Sequence, residues 1–179
     1  MDNKPLVNRV AASGLITINL EDFFPAEEVA IFDLKDYLYM ELILKEKDFR
    51  AALKEHDWSQ YAGKNLLVFC STDAIVPVWA YMLVTAYAEP HTHRIFQGDQ
   101  ENFYKVAFQQ ALDQLDASQY EQKRIVIKGC SEKPVPPAAY VELTRKLRPY
   151  AQSIMYGEPC STVPIFKRPR VVKPRAKKD

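Results

Sequence analysis

An internal duplication constrains this chain more than any other feature. Lys64-Asn65-Leu66-Leu67-Val68-Phe69-Cys70-Ser71 is answered sixty residues later by Arg124-Ile125-Val126-Ile127-Lys128-Gly129-Cys130-Ser131. After a slip of one residue, Val76 to Asp99 aligns without gaps against Val135 to Glu158 at an offset of fifty-nine. Eight of those twenty-four positions are identical, including Pro77/Pro136, Tyr81/Tyr140, Thr85/Thr144 and Gly98/Gly157. An acid follows the glycine in both copies, as Asp99 and Glu158, and a third Cys-Ser pair stands at Cys160-Ser161. Duplication places equivalent side chains about a pseudo-twofold axis, where shared sites form.

The pattern inside each copy reads strand, helix, strand. Asn65 to Phe69 is a short apolar run between Gly63-Lys64 and Cys70-Ser71, hence a buried strand. Pro77 suits the first turn of a helix running to about Ala88, because its missing N–H costs nothing there. Arg94 to Gln97 is the next strand, and Glu101 to Leu115 a helix with Phe103, Val106, Ala107 and Ala111 on its apolar side. The second copy repeats the scheme with a strand at Arg124 to Lys128, a helix from Pro136 to Leu147 and a strand at Ser153 to Tyr156. Upstream, Leu15 to Leu20 alternates as a strand, Val29 to Leu34 is a strand or a helix start, and Lys45 to His56 is an amphipathic helix.

Such alternation implies parallel strands joined by right-handed crossovers, hence an α/β fold with helices on both faces of a mostly parallel sheet. It is built from two βαβ units, residues 64–99 and 124–158, behind an N-terminal β/α extension, within a single domain over residues 1–166. If the first strands of the copies are neighbours, a topological switch point lies between them. Cys70 and Cys130 then meet at their carboxyl ends, with Asp99 and Glu158 on the same edge.

That edge is the expected site. Thiolates near helix N-termini are favoured over thiols and are soft ligands for zinc or iron–sulfur clusters. Cys70, Cys130 and Cys160 offer three sulfurs, with Asp99 or Glu158 for a fourth position. No Cys-x-x-Cys or compact finger spacing is present, and cysteines at strand ends also serve as small buried hydrophobes. Metal binding, a reactive thiol and an inert structural role all stay open. His91-Thr92-His93 lies at the opposite strand end and reads as a surface loop, His56 as a structural residue near a helix end. No Gly-x-Ser-x-Gly elbow or glycine-rich phosphate cradle occurs, so serine catalysis and a nucleotide cofactor are disfavoured. Tyr81 and Tyr140 are expected to pack on the sheet with their hydroxyls near its rim.

A net charge of +1 argues against a global nucleic-acid surface. Lys167 to Lys178 nevertheless holds seven basic residues and no acid, so residues 167–179 read as a solvated, disordered tail that could touch RNA, phosphates or an acidic partner. No secretory pattern or membrane-length apolar run is visible, and three cysteines without an export signal point to reduced thiols in the cytoplasm.

Several segments are distinctive together: Asn8-Arg9-Val10-Ala11-Ala12-Ser13-Gly14-Leu15, Leu44 to Arg50, His56-Asp57-Trp58-Ser59-Gln60-Tyr61, Asp73 to Pro77, Lys128 to Ser131 and Ser153 to Pro164. Over residues 6 to 169 the chain resembles an uncharacterised bacteroidete family, domain of unknown function 2480. The resemblance implies a small cytosolic bacterial protein with no assigned activity, encoded near iron–sulfur assembly components. It makes iron–sulfur assembly proteins the expected partners and matches Cys70, Cys130 and Cys160 to the family's Cys-Ser turns. The expected function is an accessory protein holding an iron–sulfur cluster or metal for assembly, transfer or sensing rather than turnover. A cysteine-dependent enzyme or redox protein is the alternative, and a non-catalytic interaction module with structural cysteines the second.

Overall fold

The middle strand of each sheet carries three consecutive buried apolar residues, Leu66 to Val68 in one and Ile125 to Ile127 in the other, and the two sheets grow around these strands. The computed structural model describes residues 14–129 and 132–169. In chain order the elements are β1 (Leu15–Asn19), β2 (Val29–Asp33), β3 (Leu38–Tyr39), β4 (Ile43–Leu44), α1 (Glu46–Glu55), β5 (Asn65–Phe69), α2 (Val78–Ala88), β6 (Arg94–Gln97), α3 (Gln100–Asp113), β7 (Arg124–Lys128), α4 (Pro137–Leu147), β8 (Ser153–Glu158) and β9 (Ser161–Lys167). The chain divides into two compact units: a contiguous one, Pro25–Ala107, and a split one, Met1–Phe24 with Phe108–Asp179.

In the contiguous unit β5 lies between β2 and β6, all parallel, with Val29, Asn65 and Arg94 in register. Leu66 and Val68 face a core made with Phe32, Val84 of α2, and Phe49 and Leu53 of α1. Leu67 points the other way, against Phe103 and Ala107 of α3. Both faces are therefore covered, as the unbroken apolar run requires. Truncating such a buried leucine to alanine costs about 2–5 kcal/mol. Aromatic rings finish this core: Phe32 stacks on Tyr37 at 5.0 Å and on Trp58 at 5.5 Å, and the Trp58 indole N–H donates to the Leu53 carbonyl at 2.9 Å.

In the split unit β7 lies between β1 and β8, again parallel, with Leu15, Arg124 and Ser153 in register. β9 adds antiparallel to β8 through a bulge at Ile154/Met155. Ile125, Val126 and Ile127 are buried, as are Leu143 and Leu147 of α4. β9 was not expected from the sequence because Pro164 interrupts it; proline is tolerated there as on other edge strands, where its missing N–H breaks no interior ladder.

The architecture is α/β with parallel-dominated sheets, as expected. The pairing of β5 with β7 is corrected: the copies occupy separate sheets. Each middle strand already has an upstream partner, β2 for β5 and β1 for β7, which fills the edge where the other copy would add. Strand order then runs one way in each described sheet and never reverses, so neither holds a switch point. The N-terminal β/α segment is the source of those two upstream strands. Among the described residues no helix is long and apolar enough to cross a membrane.

Candidate functional site

The strands β5 and β7, the turns before them and the helices after them fix how the copies correspond. The two sheets share one register, Asn65 standing where Arg124 stands, and the helices that follow start at Val78 and Pro137. An offset of fifty-nine therefore holds through the strand without the one-residue slip expected from the cysteines. It extends upstream as well, to Asp57-Trp58-Ser59-Gln60-Tyr61 and Asp116-Ala117-Ser118-Gln119-Tyr120. Each of these forms a 3-10 turn whose aspartate accepts from the serine N–H at 3.0 Å and the serine hydroxyl at 2.6 Å. Those serine hydroxyl and N–H donors hold both carboxyls below the usual carboxylate range. The repeated Asp-x-Ser-Gln-Tyr was the signal for this turn.

In this register Cys70 corresponds to Gly129, and Cys130 falls one position later. The Tyr140 hydroxyl explains the glycine, for it lies 2.8 Å from where a Cβ on Gly129 would sit. Cys70 is half-buried against the aromatic core of its unit, with its sulfur 3.3 Å from the Thr72 hydroxyl oxygen. Burial, and then the neighbouring Cys70, push the Tyr81 phenol up. An acid at the end of β2 and another in the turn just after β1 anchor the strand-end loops. Asp33 accepts from the N–H groups of Lys35 and Ser71 at 3.0 Å each, while Glu21, buried in the split unit, accepts from the Glu132 N–H at 2.9 Å.

The expected ligands are not gathered by the described residues. Cys70 belongs to the contiguous unit; Cys160 lies exposed between β8 and β9 of the split one; Cys130 is outside the described residues. Asp99 caps α3, accepting from the Asn102 N–H at 2.8 Å. Glu158 ends β8 and pairs with Lys128 at 3.5 Å. Among the described residues no three of His, Cys, Asp and Glu come together as a metal would require. His91 and His93 are exposed, with His93 Nε2 3.7 Å from Glu27. His56 is structural: its Nδ1 lies 3.2 Å from the Tyr37 hydroxyl and its Nε2 3.0 Å from that of Tyr61. Burial holds the His56 pKa below its ordinary value and pushes the Tyr61 phenol up to about 12.

Sequence reasoning missed the most exposed apolar surface. Between the 3-10 turn at Leu34–Tyr37 and α1, the contiguous unit inserts the hairpin β3–β4, whose tip at Met40 and Glu41 has positive φ. Leu42, Ile43, Asp73, Ile75 and Pro77 line a cavity of about 390 Å³ between that hairpin and the loop leading to α2. Ile75 is 92% exposed, and Met40, Leu42, Val78 and Met82 are each more than 60% exposed. Val78 and Met82 lie one turn apart on α2, which begins directly after Pro77 of the cavity lining. Lys45 closes over Tyr39 at 3.2 Å. The short β-strands of the hairpin and its positive-φ tip gave no periodicity by which to find it.

No curated protein and no solved structure matches the chain. The model of a family described as "Protein of unknown function (DUF2480)" matches residues 4–168, so the chain belongs to that family.

Proposed function

We propose that this protein is a non-catalytic accessory module that engages a protein partner through the apolar end of its contiguous unit. The observation that carries this reading is a cavity lined by the exposed Leu42, Ile43 and Ile75, beside the exposed Met40 of the same hairpin and the exposed Val78 and Met82 of the helix that follows Pro77. Isolated exposed leucines are ordinary, but several large exposed apolar side chains on one hairpin and the neighbouring loop, lining one cavity, mark an interaction site. The contiguous unit holds thirteen Asp and Glu against eight Lys and Arg, a net charge of −5. The partner surface that fits is accordingly an apolar patch ringed by lysine and arginine. Iron–sulfur assembly proteins, the partners implied by the family resemblance, are the first to examine.

The test is a photo-crosslinkable residue at position 75, used in cells and then with the purified candidate. A discrete adduct, reconstituted in vitro and lost in Leu42→Glu and Met82→Glu variants that melt like the parent, supports the reading. Adducts that persist unchanged in both variants sink it.

A further inference from the structure

The charge of this chain is divided between its units. The split unit holds sixteen Lys and Arg against ten Asp and Glu, a net +6, of which the described residues carry +1 (nine against eight) and residues 1–13 and 170–179 the rest. A cavity of about 630 Å³ opens on its sheet near the start of β7 and β8, lined by Arg124, Gln152, Met155, Pro164, Phe166 and Lys167. The backbone brings two more cationic residues, Lys123 and Arg168, next to Gln152 of the lining. The Gln152 N–H donates to the Lys123 carbonyl at 2.8 Å, and the Arg168 N–H donates to the Gln152 carbonyl at 2.9 Å. The Arg148 guanidinium lies 4.4 Å from the centre of the Phe166 ring. Arg168 is spent on main-chain carbonyls of Pro149 and Ala151, which hold it in place without neutralising it. Among the described residues no carboxylate forms a salt bridge with Lys123, Arg148, Lys167 or Arg168.

We infer that this groove docks an acidic peptide segment of a partner protein, with carboxylates on the cationic rim and an apolar side chain against Met155 and Pro164. Charge complementarity selects an anionic occupant. The lining selects a peptide over a nucleic acid. Among its lining residues the groove has a single aromatic ring, Phe166, and no row of rings on which successive bases could stack. The groove belongs to the split unit, and nothing in it draws on the apolar surface of the contiguous one.

The experiment uses the full chain and a short fluorescein-labelled peptide of alternating glutamate and leucine, with a glutamine-for-glutamate peptide and oligouridylate as comparisons. The acidic peptide binds, the glutamine peptide does not, and raising salt weakens the complex. The double variant Lys123→Glu/Lys167→Glu, whose side chains are exposed and whose melt should match the parent, weakens binding by roughly tenfold or more. Because the variant leaves residues 170–179 intact, unchanged affinity would place the binding in that segment and overturn the proposal. Equal binding of the glutamine peptide, or tighter binding of oligouridylate, would overturn it too.

Discussion

Tyr140 and Gly129 occupy one another's space: the tyrosine hydroxyl lies 2.8 Å from where a glycine Cβ would be, and Leu20 Cβ stands 3.2 Å away on another side. Gly129 therefore has no room for a side chain like the one Cys70 carries at the corresponding position, and the copies differ where their Cys-Ser pairs seemed most alike.

Gly129→Ala should therefore lose about 1–3 kcal/mol, the usual cost of forcing a methyl into a packed site. Urea unfolding measures it. In a Tyr140→Phe background the same change should cost less, because the hydroxyl nearest the new methyl is gone. Equal costs in both backgrounds would show that the hydroxyl is not what excludes a side chain.

Asp33 ties the β2 turn to the loop after β5. Its partial burial raises the pKa, but the hydrogen bonds from Ser71 and from the Lys35 N–H outweigh this and hold the carboxyl below 3.8. An unfolded aspartate binds its proton first as pH falls, so this contribution is complete above 3.8 and lost as pH drops through the folded value. Asp33→Asn keeps an acceptor, as Asn19 does at the same turn in the split unit. The variant should differ from the parent by under about 1 kcal/mol at neutral pH and show a shallower loss of stability in acid. Chemical melts from pH 6 to pH 3 test this.

His56 sits among aromatic rings, and burial disfavours its charged form, an effect that Asp57 only partly offsets. Between the folded value and 6.5 the unfolded chain holds more protons, so stability should fall as pH drops below 6.5 and level off beneath the folded value. A proton resonance titration of His56 should give a midpoint under 6.5. The midpoint of urea unfolding should vary less with pH in His56→Gln than in the parent.

The two described cysteines should differ in access. Cys160 lies exposed in the β8–β9 turn, whereas Cys70 is half-buried beside Thr72 and the aromatic core. Brief alkylation followed by peptide mapping should modify Cys160 well before Cys70. Faster reaction at Cys70 would revive a reactive thiol there.

Most of the local structure was legible in the residues. The apolar run of Asn65–Phe69, Pro77 at a helix start and the spacing of Phe103 and Ala107 each carry their own period or stop signal, and their elements stand where expected. Which strands pair was not legible, since β5 and β7 present the same apolar edge to any neighbour and nothing local distinguishes β1 from β2 as a partner. The matching Cys-Ser pairs misled for a related reason. Two letters aligned better with a slip, while the backbone register, carried by the Asp-x-Ser-Gln-Tyr turns, ran straight through. The exposed hairpin was hidden because its strands are two residues each, too short to show alternation.

The split unit's sheet sets a delay into the synthesis of the chain. β1 is made first, yet its partner β7 begins only at Arg124, after the whole contiguous unit has left the ribosome's active centre. At ~5–20 residues per second that interval is roughly five to twenty seconds, long beside the microseconds in which a hairpin closes. Throughout it the β-branched run of Leu15–Asn19 has no strand to pair with in its native sheet. For that interval the nascent chain carries an unpaired strand edge that its finished form does not reveal.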